Sequence, residues 1–468
     1  MLFSSIPFLY YFLPCVLILY AIAPKKLKNF VLMLTSLVFY GWGEPKYVLL
    51  MVATIGIGYV SGLMIEKCID TKPKLAKAVL IITVLIDLGF LGYFKYANFF
   101  VENFVLLTGL DIKLLNIALP IGISFYTFQI LSYSVDIYRK DVPAQKNPIN
   151  LAAYITMFPQ LIAGPIVRYA DIAEQLGNRT HSFEKTALGI RRFIVGLSKK
   201  ILLANILGEV CDAFKASDDK SVLFFWLYAV CYMLHVYFDF SGYSDMAIGL
   251  GYMFGFRFME NFNYPYISAS VTEFWRRWHM SLGTWFRDYV YIPLGGNRCS
   301  KARHCFNIFV VWMLTGFWHG ADWPFIVWGI YFAILLMLEK FFLLKHLKKL
   351  KVLNHVYVLL LVLFSFVIFN AADMGEAVRY LGGLFGIGGY SFVSDSFFWY
   401  LRNYAVVIVV GLVGATPFVK NACLKLHENE KTQKVLNVVE PVVLVALLAL
   451  VTAYLVDGSY NPFLYFRF

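Results

Sequence analysis

Val222-Leu223-Phe224-Phe225-Trp226-Leu227-Tyr228-Ala229-Val230-Cys231-Tyr232-Met233-Leu234-His235-Val236-Tyr237-Phe238 runs without a Lys, Arg, Asp or Glu until Asp239, and the apolar character resumes as far as residue 255. A stretch of this length matches the roughly 20 residues needed to cross a ~30 Å hydrocarbon core. Hydrocarbon cannot satisfy free backbone amides, and the near-continuous apolarity lacks the in/out alternation of a membrane barrel strand, so the run predicts a helix. Similar runs recur along almost the whole chain, near residues 5 to 24, 29 to 43, 46 to 65 and 78 to 100 among others. The 468 residues are 60% hydrophobic and only 15% charged, whereas a soluble domain averages about 25% charged. The expected fold is therefore all-α: a polytopic membrane helix bundle of about 11 to 13 transmembrane helices, with re-entrant and amphipathic helices.

Lys and Arg number 41 against 29 Asp and Glu, a formal charge of +12. The excess falls in short connections: Lys25, Lys26 and Lys28; Lys67, Lys72, Lys74 and Lys77; Lys345, Lys348, Lys349 and Lys351. There it sets topology, with those connections facing the cytoplasm and touching anionic membrane lipid. Basic caps on apolar helices exclude a nucleic-acid partner. The stretch Phe3 to Ala23 ends in Ala-Ile-Ala, but its positive charge follows the span and it is too long for a signal core, so it reads as a retained helix. Seven cysteines show no CxxC spacing; Cys299, His304 and Cys305 lack a visible fourth ligand, and no metal is expected.

No linker, low-complexity tract or repeat divides the chain, which reads as a single membrane domain over 1–468, with N-terminal spans in 1–110, a core in 111–340 and C-terminal spans in 341–468. The core is where polar residues enter apolar segments. Leu119-Pro120-Ile121-Gly122-Ile123-Ser124-Phe125-Tyr126 and Phe158-Pro159-Gln160-Leu161-Ile162-Ala163-Gly164-Pro165 predict broken helices, tolerated at membrane depth where protein or a cavity takes up the freed backbone groups, or simple Pro kinks packed on a neighbour. In the run quoted above, His235 and Asp239 share a face four residues apart, with Asp245 further on. A carboxylate mid-span costs about 2.5–3.5 kcal/mol on insertion scales, so these groups face an interior, either as a structural network or as the lining of a polar passage. Trp275, Arg276, Arg277, Trp278, His279 and Arg287 interleave aromatics with guanidinium groups, the pattern of an amphipathic helix at the cytoplasmic surface, and one suited to phosphate binding. A later span ends Gly316-Phe317-Trp318-His319-Gly320, placing an ionisable residue at its deep end, a functional candidate by default with a hydrogen-bonded packing histidine as the alternative.

The run from Tyr237 to Gly249, the block from Trp275 to Gly296, Trp318-His319-Gly320 and the terminal Asn461-Pro462-Phe463-Leu464-Tyr465-Phe466-Arg467-Phe468 together resemble the membrane-bound O-acyltransferase family, most of all its bacterial alginate O-acetylation branch. The likeness extends over essentially the whole chain and implies that the helix bundle is built around a central tunnel. It implies catalytic histidines at His319 and His279, with Trp275, Arg276, Arg277, Trp278, Arg287, Asp239, Asp245 and Trp318 as donor-binding or tunnel residues. It further implies transfer of an acyl group from a cytoplasmic thioester, acetyl-CoA or an acyl carrier protein, towards an extracellular hydroxyl, without a bound cofactor. A secreted or membrane-anchored SGNH-type acetyltransferase is the implied partner, in the bacterial cell membrane. Asp322, where relatives often carry a small polar residue, is a local departure that bears on substrate detail.

A neutral imidazole at His319 would act as general base on the incoming hydroxyl, an effect worth about 10²- to 10⁴-fold. His279, the neighbouring arginines or loop amides are the candidates to stabilise the oxyanion. Other readings are D-alanyl transfer to teichoic acid, as in a sister branch of the family, a transporter or flippase, for which broken helices and buried carboxylates would also serve, and a non-catalytic scaffold.

Overall fold

A computed structural model describes residues 1–347, 349–458 and 460–462. Lys348 of the late basic cluster and the Phe463 to Phe468 portion of the terminal motif lie outside the described residues. Among the described residues every regular element is helical, apart from one isolated bridge between Ser221 and Ser391.

Among the described residues, seven helices are long and apolar enough to cross a bilayer: Pro45–Cys68, Pro73–Thr108, Val222–Met253, Trp323–Leu347, Leu353–Asn370, Asp395–Gly414 and Glu430–Val456. Other apolar stretches within the expected 11 to 13 form shorter or more polar helices, among them Pro7–Ile22, Lys28–Gly43, Ile123–Arg139 and Lys301–His319. The protein is a multi-pass membrane protein.

The chain packs as two compact units, one formed by Met1–Phe193 with Met246–Met259, the other by Ile194–Asp245 with the residues from Glu260 onward. In the first, Phe3, Phe8, Phe12, Phe39 and Phe158 pack ring against ring. Neither Pro-containing motif runs through as a continuous kinked helix: Pro120 lies in the non-helical stretch between Thr108 and Ile123, and Pro159 follows a break at Met157. Gly122 takes a left-handed conformation before the helix Ile123–Arg139, and the short helix Phe158–Leu161 starts anew after Met157, its first amide donating to Ser36 Oγ (3.1 Å). The helix Ile123–Arg139 buries Ser124, Thr127, Gln129, Ser132, Ser134 and Asp136 along with its apolar residues, so it faces protein rather than lipid.

In the second unit the helix Lys301–His319 and the helix that begins at Trp323 touch backbone to backbone. A Cβ on Gly316 would stand 2.4 Å from the Phe325 carbonyl oxygen, and one on Gly329 2.4 Å from that of Trp312. Small residues at such crossings allow the close van der Waals packing that stands in for the hydrophobic effect inside a bilayer.

Candidate active site

The stretch Phe274 to Tyr289 is not one surface helix. It forms two short helices, Val271–Arg277 and Met280–Phe286, parted by Trp278 and His279. His279 has φ +44°, a left-handed conformation unfavourable for a residue with a Cβ and costing of order 1–3 kcal/mol where it persists. The surroundings impose it from both sides. The first helix is fixed at its start by Ser270 Oγ, which accepts from Glu273 N (3.0 Å), and by the buried Glu339 carboxylate, which accepts from the amides of Val271 (2.6 Å) and Thr272 (2.8 Å) and from Thr272 Oγ1 (2.7 Å). The second helix is tied down by Met280 N donating to the Asn261 carbonyl (3.0 Å).

Asn261 also sets the protonation pattern of His279. Its Oδ1 accepts from the Ser281 amide (3.3 Å) and hydroxyl (2.9 Å), and its Nδ2 donates to Ser244 Oγ (3.0 Å). A backbone amide can only donate, so the atom facing it is oxygen, and the His279 Nδ1 lying 3.1 Å from the same oxygen must carry the hydrogen. The second nitrogen, Nε2, is then the one with the lone pair. It is buried and has no hydrogen-bond partner among the described residues, on a side chain 1% exposed.

His319 closes the helix Lys301–His319 and is 9% exposed. The chain leaves it through Gly320 in extended conformation, where a Cβ would lie 2.2 Å from the Phe325 ring, so only glycine lets that ring cover the helix end. Asp322, the local departure in sequence, accepts from Trp323 N (2.7 Å) and caps the next helix. Aromatic rings surround the His319 imidazole: Trp318 at 5.0 Å, Trp328 at 5.2 Å and Phe369 at 5.3 Å between centroids. His279 reaches the same group, its ring 5.8 Å from that of Trp318, and a charge on His319 would act on His279. The two histidines expected from sequence are thus brought together.

The other residues singled out in sequence divide. Trp275, Trp278 and Trp318 pack in the aromatic interior. Arg277 pairs with Glu273 (2.8 Å), whose carboxyl is pushed up by burial but held below its ordinary value by the Ala269 amide and Arg277. Arg287 pairs with its neighbour Asp288 (2.7 Å), and Arg276 is exposed with no ion pair or hydrogen bond among the described residues. Asp239 and Asp245 bind Lys200 (2.5 Å) and Lys199 (2.7 Å), two consecutive residues of the π-helical turn Lys199–Asn205. His304 Nε2 lies 2.9 Å from the Tyr291 hydroxyl, and no group of three metal-ligating side chains converges among the described residues. Sequence reasoning missed Asn261, Ser281, Glu339 and both lysines. Lys199 and Lys200 carried a signal, two cations interrupting an apolar stretch; Asn261 carried none.

The model of the membrane-bound O-acyltransferase family matches residues 138–372, a segment that includes both histidines and every partner of His279 described above. The chain belongs to that family and is an acyltransferase. Among its relatives, the probable alginate O-acetylase AlgI of Azotobacter vinelandii is 44% identical over 84% of this chain and 79% of its own length. The probable alginate O-acetylase AlgI of Pseudomonas putida is 39% identical across 100% of both chains, and the peptidoglycan O-acetyltransferase of Helicobacter pylori is 33% identical over 84% of this chain and 81% of its own.

Proposed function

We propose that this protein is an O-acetyltransferase that takes an acetyl group from a cytoplasmic thioester, acetyl-CoA or an acyl carrier protein, and delivers it across the membrane for O-acetylation of an extracellular polysaccharide or cell-wall polymer. The observation that carries the reading is the pair of buried imidazoles sharing Trp318, one of them, His279, with Nε2 unpartnered among the described residues. A buried imidazole enclosed by indole and phenyl rings is disfavoured as the charged form, and the neutral form offers a hydroxyl the lone pair that a general base requires. His319 serves as that base; His279, locked as the Nδ1–H tautomer, holds the hydroxyl or relays its proton through Nε2. The relatives that act on alginate and on peptidoglycan are named for O-acetyl transfer, which favours acetyl over D-alanyl as the cargo.

Arg276 is the arginine left for a phosphate of the donor, since Arg277 and Arg287 are engaged by carboxylates. Delivery to the polymer calls for an SGNH-type acetyltransferase on the outer side, in keeping with a place in a bacterial cytoplasmic membrane. His319→Ala tests the assignment: membrane abundance stays normal while polymer acetylation falls by about 10²- to 10⁴-fold. Unchanged acetylation at normal abundance rejects it.

A further inference from the structure

Beside His319 lies Trp328, and against Trp328 lies Trp275, two indoles whose nitrogens have no acceptor among the described residues. Nε1 of Trp275 and Nε1 of Trp328 are buried and lack any hydrogen-bond partner among the described residues. Trp328 is 2% exposed and touches the His319 imidazole directly (5.2 Å, rings near perpendicular), and Trp275 stacks edge-on against Trp328 at 5.5 Å. An indole N–H can only donate, and buried donors in folded proteins almost always have an acceptor; one without calls for an explanation such as a ligand. Trp residues that serve only as packing are ordinarily placed so that the N–H reaches a partner. Two such failures in ring contact with each other, one of them against His319, mark the place where a carbonyl oxygen is to be received.

Resting on the acyl-transfer reading above, we propose that the indole N–H groups of Trp328 and Trp275 bind the carbonyl oxygen of the acyl donor and stabilise the negative charge that gathers on it. In the step, the hydroxyl oxygen forms a bond to the carbonyl carbon and its proton passes to His319. The carbonyl π pair moves onto oxygen, where the N–H donors meet it. Collapse of that oxyanion re-forms the C=O bond and breaks the C–S bond, and the departing sulfur takes the proton from the imidazolium to leave as a thiol. No further reactant is needed. Donors fixed by a packed aromatic frame are already oriented when the charge appears, which is the condition under which such groups contribute most. The frame is in place here: Trp275 is wedged between Trp312 (4.5 Å) and Phe332 (4.8 Å), and Trp328 lies between Phe332 (5.1 Å) and Phe369 (5.2 Å).

The test uses the full chain in inverted membrane vesicles, with radiolabelled acetyl-CoA and, in parallel, acetylated acyl carrier protein as donors. Trp328→Phe and Trp275→Phe remove the N–H and keep a ring; benzothienylalanine at 328 replaces only the N–H by sulfur and guards against a folding defect. Loss of one oxyanion donor is expected to lower kcat by about 10²- to 10³-fold with KM changed little. A rise in KM alone assigns the donors instead to an amide carbonyl of the donor's arm and overturns the oxyanion role, and kcat within twofold for the sulfur analogue overturns the site. His319→Ala in the same vesicles separates the two levels: if it retains transfer, or if the wild-type chain moves label from neither donor, the acyl-transfer reading itself falls, whereas its inactivity beside fully active Trp variants removes only the carbonyl site.

Discussion

In the unit that holds the histidines, two clusters of polar side chains, wholly or partly buried, are partnered in opposite ways. At the π-helical turn Lys199–Asn205, each charge has its counter-charge, Lys200 with Asp239 and Lys199 with Asp245, and Lys200 also donates to the Pro462 carbonyl. Around His279 the chain supplies rings and turns Asn261 to fixing Nδ1, while Nε2 of His279 and Nε1 of Trp275 and Trp328 have no partner among the described residues. Saturated charge inside a bilayer protein anchors elements to one another. Neutral groups with unused hydrogen-bonding capacity are what a reacting substrate can engage. For Asp239 and Asp245 the sequence left open a structural network or the lining of a polar passage, and their ion pairs with Lys200 and Lys199 favour the first as a proposal.

That contrast can be broken most forcefully at Lys200. Lys200→Met strands the Asp239 carboxylate among buried side chains, and we expect a loss of about 3–5 kcal/mol, read as a lower melting temperature in detergent and reduced membrane abundance. Lys200→Met with Asp239→Leu should recover most of it, along with acetylation; a stable double variant that no longer acetylates would place this pair in the chemistry instead. A smaller effect is expected from Asn261→Asp. The carboxylate can still accept from Ser281 and from His279 Nδ1–H, but its charge favours the imidazolium. His279 then keeps a second proton to higher pH, so the acidic limb of the pH–rate profile should move upward in pH while the rate well above it stays near that of the wild type. A limb that stays in place would detach Asn261 from the protonation of His279. The smallest effect separates two arginines: Arg276→Ala should raise KM for acetyl-CoA about 5- to 10-fold, ~1–1.4 kcal/mol, at constant kcat, and Arg287→Ala, already tied to Asp288, less than twofold. Equal changes would reduce both to general surface charge.

The fold was legible because apolar length is a strong signal: the run from Val222 is one helix to Met253, and the Pro-Gly interruptions near Pro120 and Pro159 are breaks in the structure. His319 was legible for the same reason, as an imidazole at the end of a span. The break at Trp278 and His279 was not, because aromatic and Arg residues at helical spacing carry no mark of a left-handed residue; the cause lies in Asn261, a loop residue with no periodicity to give it away. Nor could spacing disclose that Lys199 and Lys200, adjacent in sequence, both reach carboxylates of one helix, since that depends on a local π-helical turn. For Arg277 and Arg287 the acids stood close in sequence, Glu273 four residues before and Asp288 next along, but spacing alone does not tell a paired guanidinium from one held ready for a ligand.

Glu339 joins what the chain order keeps apart. It belongs to the Trp323–Leu347 helix, whose partner across the Gly316–Gly329 crossing ends in His319, and its carboxylate grips the start of the short helix that leads to His279. Both imidazoles therefore ride on one stiff hairpin, by covalent continuity at one end and by a carboxylate clasp at the other. Breathing of that hairpin carries the two rings as a pair, so the gap a substrate must fit can stay constant while the rest of the membrane domain flexes around it.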